Sequence, residues 1–177
     1  DGNLLAASQA VEKIYLSSEF FTKEIFHSIS PTKYAKLISS IAVFYDVPDP
    51  NIFANDIASI LDKEGVWVME QSYLPLLIKD LSFDSICHEH LAYYGLKQIK
   101  IAASNANLRV FNVETNNMNG GSLRAFICHS DSNHLTNNKN LNLIERLEID
   151  SKIDRHSTFI KFKERVISIG ETLVSFM

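Results

Sequence analysis

One order of elements constrains the fold more than any other feature: a buried strand, a helix and a second buried strand within residues 37–70. The run LISSIAVFY at residues 37–45 is short and rich in Ile, Val and aromatic residues, which fits a strand buried on both faces of a parallel sheet. Asp49 can cap a helix that Pro50 begins, and Gly65 lies where that helix would end. The run GVWVME then predicts the second strand. This pattern has the length of a βαβ unit and predicts an α/β fold.

Beyond the second strand, the chain is predicted to form a helix and two antiparallel strands. Residues 71–84 contain Pro75 and are interpreted as a loop with a helical turn, and residues 92–106 as a helix. The runs LRVFNVE and SLRAFICH, which begin at Leu108 and Ser122, have the composition of strands. Because the stretch between them is rich in Asn and Gly, we expect a turn there and direct pairing of the two strands.

The C-terminal part of the chain differs in composition. Residues 130–142 are polar and rich in Asn, which makes them the best linker candidate. The sequence therefore predicts two domains, residues 1–130 and residues 131–177. After the linker, apolar residues at helical spacing predict an amphipathic helix that needs a partner surface. These residues are Phe159, Phe162, Val166, Ile169 and Leu173.

Charge and hydropathy exclude several classes of partner. The 177 residues carry a formal net charge of -4, and Lys and Arg form no cluster that would attract nucleic acid or an anionic membrane. No apolar run approaches the roughly 20 residues that cross a bilayer. Cys87 and Cys128 lie in strand-like contexts that suit reduced thiols, so we expect a cytoplasmic protein. The chain begins without Met and stops inside a helical pattern, so we expect a piece of a longer protein.

Proton-transfer chemistry is concentrated in the segment CHEH, which supplies Cys87, His88, Glu89 and His90. Histidine exchanges protons near neutral pH, and a neighbouring carboxylate can hold its ring in one tautomer or raise its basicity. The segment is therefore a candidate acid/base site. The alternative is a capping or surface-loop cluster with no chemical role.

Zinc binding is a further alternative for the same segment. The possible ligands are Cys87, His88, His90, Cys128 and His129. Their spacing argues against it, because no CxxC or HExxH pair is present and neighbours along a strand point to opposite faces. We expect no metal site in this chain.

A polar loop with paired glycines leads into the last predicted strand. Glycines let a ligand approach the backbone, Ser and Asn supply directional hydrogen bonds, and Arg can pair with phosphate or carboxylate. This combination would suit a sugar nucleotide, whereas the alternative is an ordinary hairpin turn, which NGG favours. The residues are Asn116, Asn119, Gly120, Gly121, Ser122 and Arg124.

Polar groups also end the two predicted parallel strands. Tyr45 and Asp46 follow the first strand, and Glu70 ends the second. Because ligands of open α/β sheets bind beyond the carboxyl ends of the strands, we expect these residues to line one crevice. Trp67 lies inside its strand and is interpreted as core.

Three runs together resemble the sugar C-methyltransferase family. They are FYDVPDPNIFANDIASILDKEGVWVMEQSYLP, FDSICHEHLAYYGL and NGGSLRAF, and the pieces HEHLxYY and NGGSLR are specific in combination. The resemblance implies a Rossmann-like class I methyltransferase sheet. This chain would hold the second half of that sheet, with its antiparallel last strand, followed by the start of a C-terminal domain.

The resemblance also implies a cofactor and a substrate. S-adenosylmethionine would be the cofactor, in contact with Ala42, Val43 and Phe44 at the end of the strand that corresponds to the fourth of the family. The partner would be a small molecule, a nucleotide-linked sugar. Family members also carry an N-terminal zinc-binding module and a Gly-rich cofactor loop, neither of which is present in this sequence.

The implied reaction assigns roles to the residues of the CHEH segment. His90 would remove a proton from the carbon beside a ketone, and the resulting enolate would attack the sulfonium methyl group of the cofactor. Glu89 would orient His90 or relay the proton, and His88 would help to bind or polarise the sugar. The implied substrate pocket consists of Tyr45, Asp46, Tyr73, Cys87, Tyr94, Asn119, Gly120, Gly121, Ser122 and Arg124.

The sequence departs from the family pattern at two positions. Cys87 stands where relatives often have Tyr, and Asp46 stands where they have His. A different sugar, or a carbonyl compound that is not a sugar, is therefore also compatible with the pattern. Two other functions stay open: a nucleotide-sugar isomerase or epimerase that uses the same proton abstraction, and a non-catalytic binding domain with the methyltransferase fold.

Overall fold

The computed structural model describes residues 14–177 and consists of a four-stranded sheet with helices packed against it. Two short 3-10 turns, Phe83–Ser85 and Met118–Gly120, precede functionally interesting segments. The helices of the described part are α1 (Lys23–Ile29), α2 (Pro50–Ile60), α3 (Leu74–Asp80), α4 (Leu96–Asn105), α5 (Asn138–Ser151) and α6 (His156–Phe176). The strands are β1 (Ala35–Ile41), β2 (Leu61–Ser72), β3 (Leu108–Asn116) and β4 (Ser122–His129).

The order of the strands in the sheet is β1-β2-β4-β3. β1 runs parallel to β2, with Ile41 opposite Glu70, and α2 makes the crossover between them. β4 runs antiparallel to both β2 and β3, and it places Arg124 opposite Glu70 and Ser122 opposite Ser72. The predicted α/β class, the βαβ unit and the antiparallel last pair are therefore confirmed.

The first strand ends earlier than the sequence predicts. The strand stops at Ile41 instead of continuing to Tyr45, because Ala42 adopts a left-handed backbone with φ of 56°. The amide of Ala42 still donates to the carbonyl oxygen of Glu70 at 2.8 Å, after which the chain turns away from the sheet. The turn directs Phe44 into the core and leaves Tyr45 only 8% exposed.

Gly65 does not end the helix, and that prediction was wrong. Asp49 caps α2 as expected, with its carboxylate accepting the amide of Asn51 at 2.8 Å, but the helix ends at Ile60 and β2 follows at once. Gly65 lies within β2, where the register with β1 shifts. A Cβ atom at this position would lie 2.7 Å from the carbonyl oxygen of Ala35, so the close approach of the two strands requires glycine.

The helix predicted at residues 92–106 begins at Leu96, and residues 138–142 of the predicted linker are helical. Residues 130–136 form a loop that Arg109 holds through hydrogen bonds to the carbonyl oxygens of Ser130 and Ser132, among others. The division into residues 1–130 and 131–177 stays a prediction, and the structure packs Leu141 and Ile144 of α5 into the same apolar core as the sheet.

The core lies between the sheet and helices α2, α4 and α5. Trp67 is 1% exposed, and its indole Nε1 donates to Ser40 Oγ at 2.9 Å, which satisfies the one polar atom of the side chain. Phe44 and Phe53 pack against the indole ring at centroid distances of 5.9 and 6.1 Å. The aromatic core that was expected around Trp67 is therefore confirmed, and it supports the ends of β1 and β2.

The C-terminal helix α6 is confirmed as a helix, and it contacts the end of α3. Arg165 donates to the carbonyl oxygens of Ile78 and Lys79 at the end of α3. Several apolar residues of α6 are exposed, among them Leu173 at 57% and Val174 at 70%. None of the helices in the described residues is long and apolar enough to cross a membrane.

Candidate functional site

A cavity of about 350 Å³ opens where β1 and β2 end. One wall comes from Tyr45 after β1 and Ser72 at the end of β2, and another from Gly120 in the turn before β4. The remaining wall comes from the segment between α3 and α4. The lining residues are Tyr45, Ser72, Ser82, Asp84, Ser85, His90 and Gly120. The predicted crevice beyond the carboxyl ends of the parallel strands is therefore present, although Glu70 and Asp46 do not line it.

His90 lies in the wall of this cavity with its ring held in one orientation. Its Nδ1 lies 2.7 Å from the carbonyl oxygen of Ser85. Because a carbonyl oxygen can only accept a hydrogen bond, Nδ1 must carry the proton, and Nε2 of the neutral ring keeps its lone pair. Nε2 is thus the ring atom that can accept a proton from a bound molecule.

Two tyrosines fix the surroundings of His90. Tyr45 packs on the imidazole with ring centroids 4.2 Å apart, and the hydroxyl of Tyr93 donates to the same Ser85 carbonyl oxygen at 3.1 Å. Burial, assisted by the nearby Asp46 and Cys87, raises the pKa of Tyr45, and burial likewise raises the pKa of Tyr93. Both phenols therefore stay protonated and can donate hydrogen bonds near neutral pH.

The other members of the CHEH segment lie on the surface. Cys87, His88 and Glu89 are exposed, whereas His90 is half-buried. Glu89 was expected to orient His90, but the Ser85 carbonyl group holds Nδ1 instead. The expected orienting role thus passes from a carboxylate to a backbone group, which leaves Glu89 and His88 as candidates for contact with a substrate at the rim.

Tyr73 and Tyr94, which were expected in the substrate pocket, point into the protein. Tyr73 is 1% exposed, and its hydroxyl donates to Glu148 Oε1 at 2.9 Å. Burial and the Glu148 carboxylate strongly raise the pKa of this phenol. Tyr94 packs on Phe44 with ring centroids 5.1 Å apart. Both tyrosines therefore make contacts inside the protein, with Glu148 and Phe44, and do not line the cavity.

Glu70 is a buried carboxylate at the centre of a polar cluster on neighbouring strands. Its carboxylate accepts from Asn116 Nδ2 at 2.9 Å and from Arg124 Nε at 2.6 Å. Burial alone would raise the pKa of Glu70, but the hydrogen bonds from Asn116 and Arg124 and the charge of Arg124 hold that pKa below its usual value. Arg124 was expected to bind the substrate and instead neutralises Glu70, with 41% of its side chain still exposed.

The turn before β4 brings its glycines close to α3 and the following loop. Gly120 and Gly121 have φ of 75° and 113°, backbone conformations that residues with a side chain rarely adopt. Ser122 is buried, and its hydroxyl donates to the carbonyl oxygen of Met118 at 3.0 Å. Of the expected loop residues, Gly120 lines the cavity. The side chain of Asn119 lies outside the described part of the structure.

The three residues expected to contact the cofactor divide into two groups. Ala42 and Val43 are exposed at the end of β1, so both can contact a bound molecule. Phe44 is 0% exposed and packs among Phe53, Trp67 and Tyr94, so its side chain cannot. The exposed apolar side chains of Ala42 and Val43 are suited to contact with an organic cofactor at this edge of the sheet. Phe44 instead packs in the core beneath the turn.

Four lining residues were missed from the sequence: Ser72, Ser82, Asp84 and Ser85. The polar run FDS directly before the CHEH segment was a signal for Asp84. Ser85 acts on His90 through its carbonyl oxygen, and a backbone group leaves no trace in residue identity. Ser72 and Ser82 are common surface residue types that only the fold brings to the cavity.

The possible zinc ligands are divided between the two ends of the sheet. Cys128 and His129 end β4, far along the strand from Ser122, and His129 Nε2 lies 3.2 Å from the carbonyl oxygen of Leu61. Cys87 lies in the exposed loop near the cavity. Across residues 14–177, no three His, Cys, Asp or Glu side chains come together in the manner of a metal site.

Parts of the chain are similar to known C-methyltransferases. Residues 117–177 match the family model of the C-methyltransferase C-terminal domain. The chain is 31% identical over 116 residues to the C-methyltransferase NovU of Streptomyces niveus, and the match covers 64% of this chain. The chain spans only 27% of the length of that curated relative.

A solved structure supports the fold. The structure of an O-methyltransferase family protein from Burkholderia thailandensis superimposes with a TM-score of 0.50 at 11% identity, over 75% of this chain and 40% of that chain. At this identity the likeness concerns the fold alone. The family model and the curated relative agree that the parts of the chain they match are similar to C-methyltransferases.

Proposed function

We propose that this chain forms the substrate-activating part of an S-adenosylmethionine-dependent C-methyltransferase that acts on a nucleotide-linked keto sugar or a related carbonyl compound. The observation that carries the proposal is the state of His90. Its Nδ1 is held by the Ser85 carbonyl oxygen at 2.7 Å, and its ring lines a polar cavity at the ends of β1 and β2. Because this bond occupies Nδ1, Nε2 is the ring atom left to accept a proton, and a histidine so placed in a polar cavity has the properties of a general base.

This geometry supports a chemical role for His90. A C–H bond beside a carbonyl group breaks, the proton moves to Nε2, and the electron pair passes into the carbonyl group to form an enolate. As the ring becomes positively charged, the Ser85 carbonyl dipole and the electron-rich face of Tyr45 both stabilise it. The enolate carbon is then the nucleophile that methyl transfer to carbon requires.

S-adenosylmethionine would supply an electrophilic methyl group when bound. The exposed residues Ala42 and Val43 at the end of β1 are the part of this chain that would contact it. These two positions and the cavity both lie beyond the carboxyl ends of the parallel strands, where ligands of open α/β sheets bind. The donor and the acceptor would therefore approach from neighbouring strand ends.

The character of the cavity favours a polar, hydroxylated substrate. Ser72 and Ser82 offer hydroxyl groups that donate and accept, and Asp84 offers a carboxylate that accepts. Sugars present many hydroxyl groups, so this lining suits a sugar better than a flat aromatic compound. Cys87, His88 and Glu89 at the exposed rim would contact the same substrate.

Two further expectations belong to this proposal. The unpaired thiols of Cys87 and Cys128 suit a reducing environment such as the cytoplasm. Residues 1–130 would complete the cofactor domain together with sequence elsewhere in a longer protein, while residues 131–177 would begin a substrate domain. A zinc-binding module, if the parent protein has one, would lie outside this sequence.

The base is best tested in two assays on the full-length protein. The first follows exchange of the proton beside the carbonyl of a nucleoside-diphosphate keto sugar in D₂O without a methyl donor, and the second follows methyl transfer from S-adenosylmethionine. His90→Ala should slow both reactions by about 10²- to 10⁴-fold. His156→Ala, which removes an exposed histidine at the start of α6, is the matched control and should leave both rates unchanged.

The two assays separate the candidate functions. Exchange and methyl transfer that both depend on His90 support the proposal. Exchange that depends on His90 without any methyl transfer would identify an isomerase or epimerase instead. Rates in His90→Ala equal to those of the unchanged protein would show that His90 is not the base.

A further inference from the structure

We propose that Glu148 of α5 is a positioning residue that closes the base of the segment carrying His90. The inference rests on the proposed function of His90 as a base. The segment runs from Tyr73, directly after β2, to Leu96 at the start of α4, and it contains α3, Asp84, Ser85 and His90. Glu148 is remote in sequence from this segment and does not line the cavity.

The carboxylate of Glu148 bonds to both ends of the segment. Its Oε1 accepts from the hydroxyl of Tyr73 at 2.9 Å and from the amide of Leu96. Its Oε2 accepts from the amide of Lys97 at 3.3 Å. A single side chain therefore joins the residue that begins the segment to the residues that end it.

A backbone contact closes the segment just inside these bonds. The amide of Leu74 donates to the carbonyl oxygen of Tyr94 at 3.2 Å. On the far side of the loop, the amides of Leu91 and Ala92 donate to the carbonyl oxygen of Tyr45 at 2.9 and 3.2 Å. His90 thus lies between one anchor at Tyr45, which follows β1, and a second anchor whose outermost member is Glu148.

Charge makes the Glu148 anchor stronger than a neutral bond. The amides of Leu96 and Lys97 are in the first turn of α4, where backbone donors have no partner within the helix. A carboxylate at this end of a helix also interacts favourably with the helix dipole. Tyr73 is buried to 1% exposure, so its hydroxyl needs an acceptor inside the protein, and Glu148 is that acceptor.

Gly95 makes room for this carboxylate. A Cβ atom on Gly95 would lie 2.7 Å from Glu148 Oε1 and 2.9 Å from Ile153 Cδ1. The backbone φ of Gly95 is -97°, which any residue can adopt, so the conformation of the chain does not require glycine here. The close approach of Glu148 and Ile153 is what requires glycine at this position. Gly95 was not among the residues expected at the site.

The test uses the full-length protein with amide hydrogen exchange across residues 82–94 as the first readout. In Glu148→Ala, exchange in this region should be at least about tenfold faster, because charge-assisted hydrogen bonds that close the segment are lost. Glu145→Ala is the matched control. Glu145 lies on the same helix and also reaches α4, through Lys100 at 2.7 Å, but it contacts neither end of the segment. Amide hydrogen exchange across residues 82–94 in Glu145→Ala should match that of the unchanged protein.

Turnover is the second readout. A base displaced by a fraction of an ångström lowers the rate by up to about 10²-fold, so kcat should fall in Glu148→Ala while KM for the methyl donor stays unchanged. Glu148→Gln keeps an acceptor oxygen and should recover part of both the protection and kcat. A merely structural role would lower thermal stability without this split between kcat and KM.

Conservative variants keep the test valid if Glu148→Ala does not fold. Tyr73→Phe removes a single hydrogen bond and keeps the buried ring, and Gly95→Ala displaces the carboxylate without removing it. Each should speed exchange across residues 82–94. Unchanged exchange in all folded variants would overturn the inference. A protein without methyl transfer would refute the proposed function alone, since hydrogen exchange measures the anchor without any substrate.

Discussion

The rings of Tyr45 and His90 pack with their centroids 4.2 Å apart and their planes 46° apart, although one follows β1 and the other lies in the loop before α4. This contact limits the rotation of the imidazole, so removing it should disorder the ring of His90. Tyr45→Leu is expected to lower kcat by about tenfold or more, because the cost of a lost aromatic pair is of order 1 kcal/mol and the ring also gains freedom.

The phenol itself is tested by Tyr45→Phe, which keeps the ring contact. If the hydroxyl only fills space, Tyr45→Phe will match the unchanged protein in both kcat and KM. If the hydroxyl binds the substrate, KM for the substrate will rise and kcat will not. A Tyr45→Leu variant with unaltered kcat would show that the stack does not position His90.

Glu70 should make the free energy of unfolding depend on pH. Its pKa is lowered from 4.5 in the folded protein, so its charged form stabilises the fold at pH values above about 4.5, and this contribution is lost as the pH falls through the lowered pKa. Glu70→Gln should therefore lower stability by about 1–3 kcal/mol at pH 7, because Arg124 loses its partner.

The sign of the effect is checked by thermal unfolding between pH 7 and pH 3. The melting temperature of Glu70→Gln should fall less over this range than that of the unchanged protein. Glu171→Gln, at an exposed position of α6, is the control and should follow the unchanged protein. Parallel curves for Glu70→Gln and the unchanged protein would contradict a lowered pKa.

Gln71 presents a buried amide without partners. The residue is 2% exposed, and in the described structure neither Oε1 nor Nε2 forms a hydrogen bond. Burying such a group costs about 1–3 kcal/mol. Gln71→Met, of similar volume, should raise the free energy of unfolding by about 1 kcal/mol in chemical denaturation. A clear loss of stability would mean that the amide is satisfied by a group such as an ordered water molecule.

Gly121 and Gly170 should respond in opposite directions to alanine. Gly121 has φ of 113°, and an added Cβ would lie 2.6 Å from Leu76 Cβ. Gly121→Ala should therefore cost about 1–3 kcal/mol. Gly170 is inside α6 with no heavy atom within 4 Å of an added Cβ, so Gly170→Ala should stabilise the protein by about 0.5–1 kcal/mol. Thermal unfolding of the two variants measures both effects, and equal shifts would contradict this account.

Local patterns predicted the elements of the fold well. The pair β3 and β4 was found because strand-like composition and an Asn- and Gly-rich turn are short-range signals. The end of β1 was missed, because the apolar run continues through a turn that Ala42 makes in a left-handed conformation, which alanine seldom adopts. Gly65 was misplaced, because glycine often ends helices and only the register of β1 on β2 shows its need for close approach.

The candidate site was predicted in part. The CHEH segment was singled out from residue type, since histidine beside carboxylate suggests proton transfer, whereas the choice of His90 within it came from the family resemblance. The structure places His90 in the cavity. Its orienting partner was assigned to Glu89, because a neighbouring carboxylate is visible in a sequence and the Ser85 carbonyl is not. Tyr73 and Arg124 were expected to bind substrate, but their polar atoms bond to Glu148 and Glu70, pairings that depend on long-range packing.

The bonds of Glu148 have a consequence for the order in which the protein acquires its shape during translation. Glu148 is synthesised 75 residues after Tyr73 and 52 residues after Leu96. Domains fold as the chain leaves the ribosome, N-terminal part first. The strands can therefore pair before α5 has emerged, whereas the Glu148 bonds to Tyr73, Leu96 and Lys97 form only afterwards. A nascent chain that stalls before α5 would carry every cavity residue and still lack the carboxylate that joins the two ends of the segment around His90.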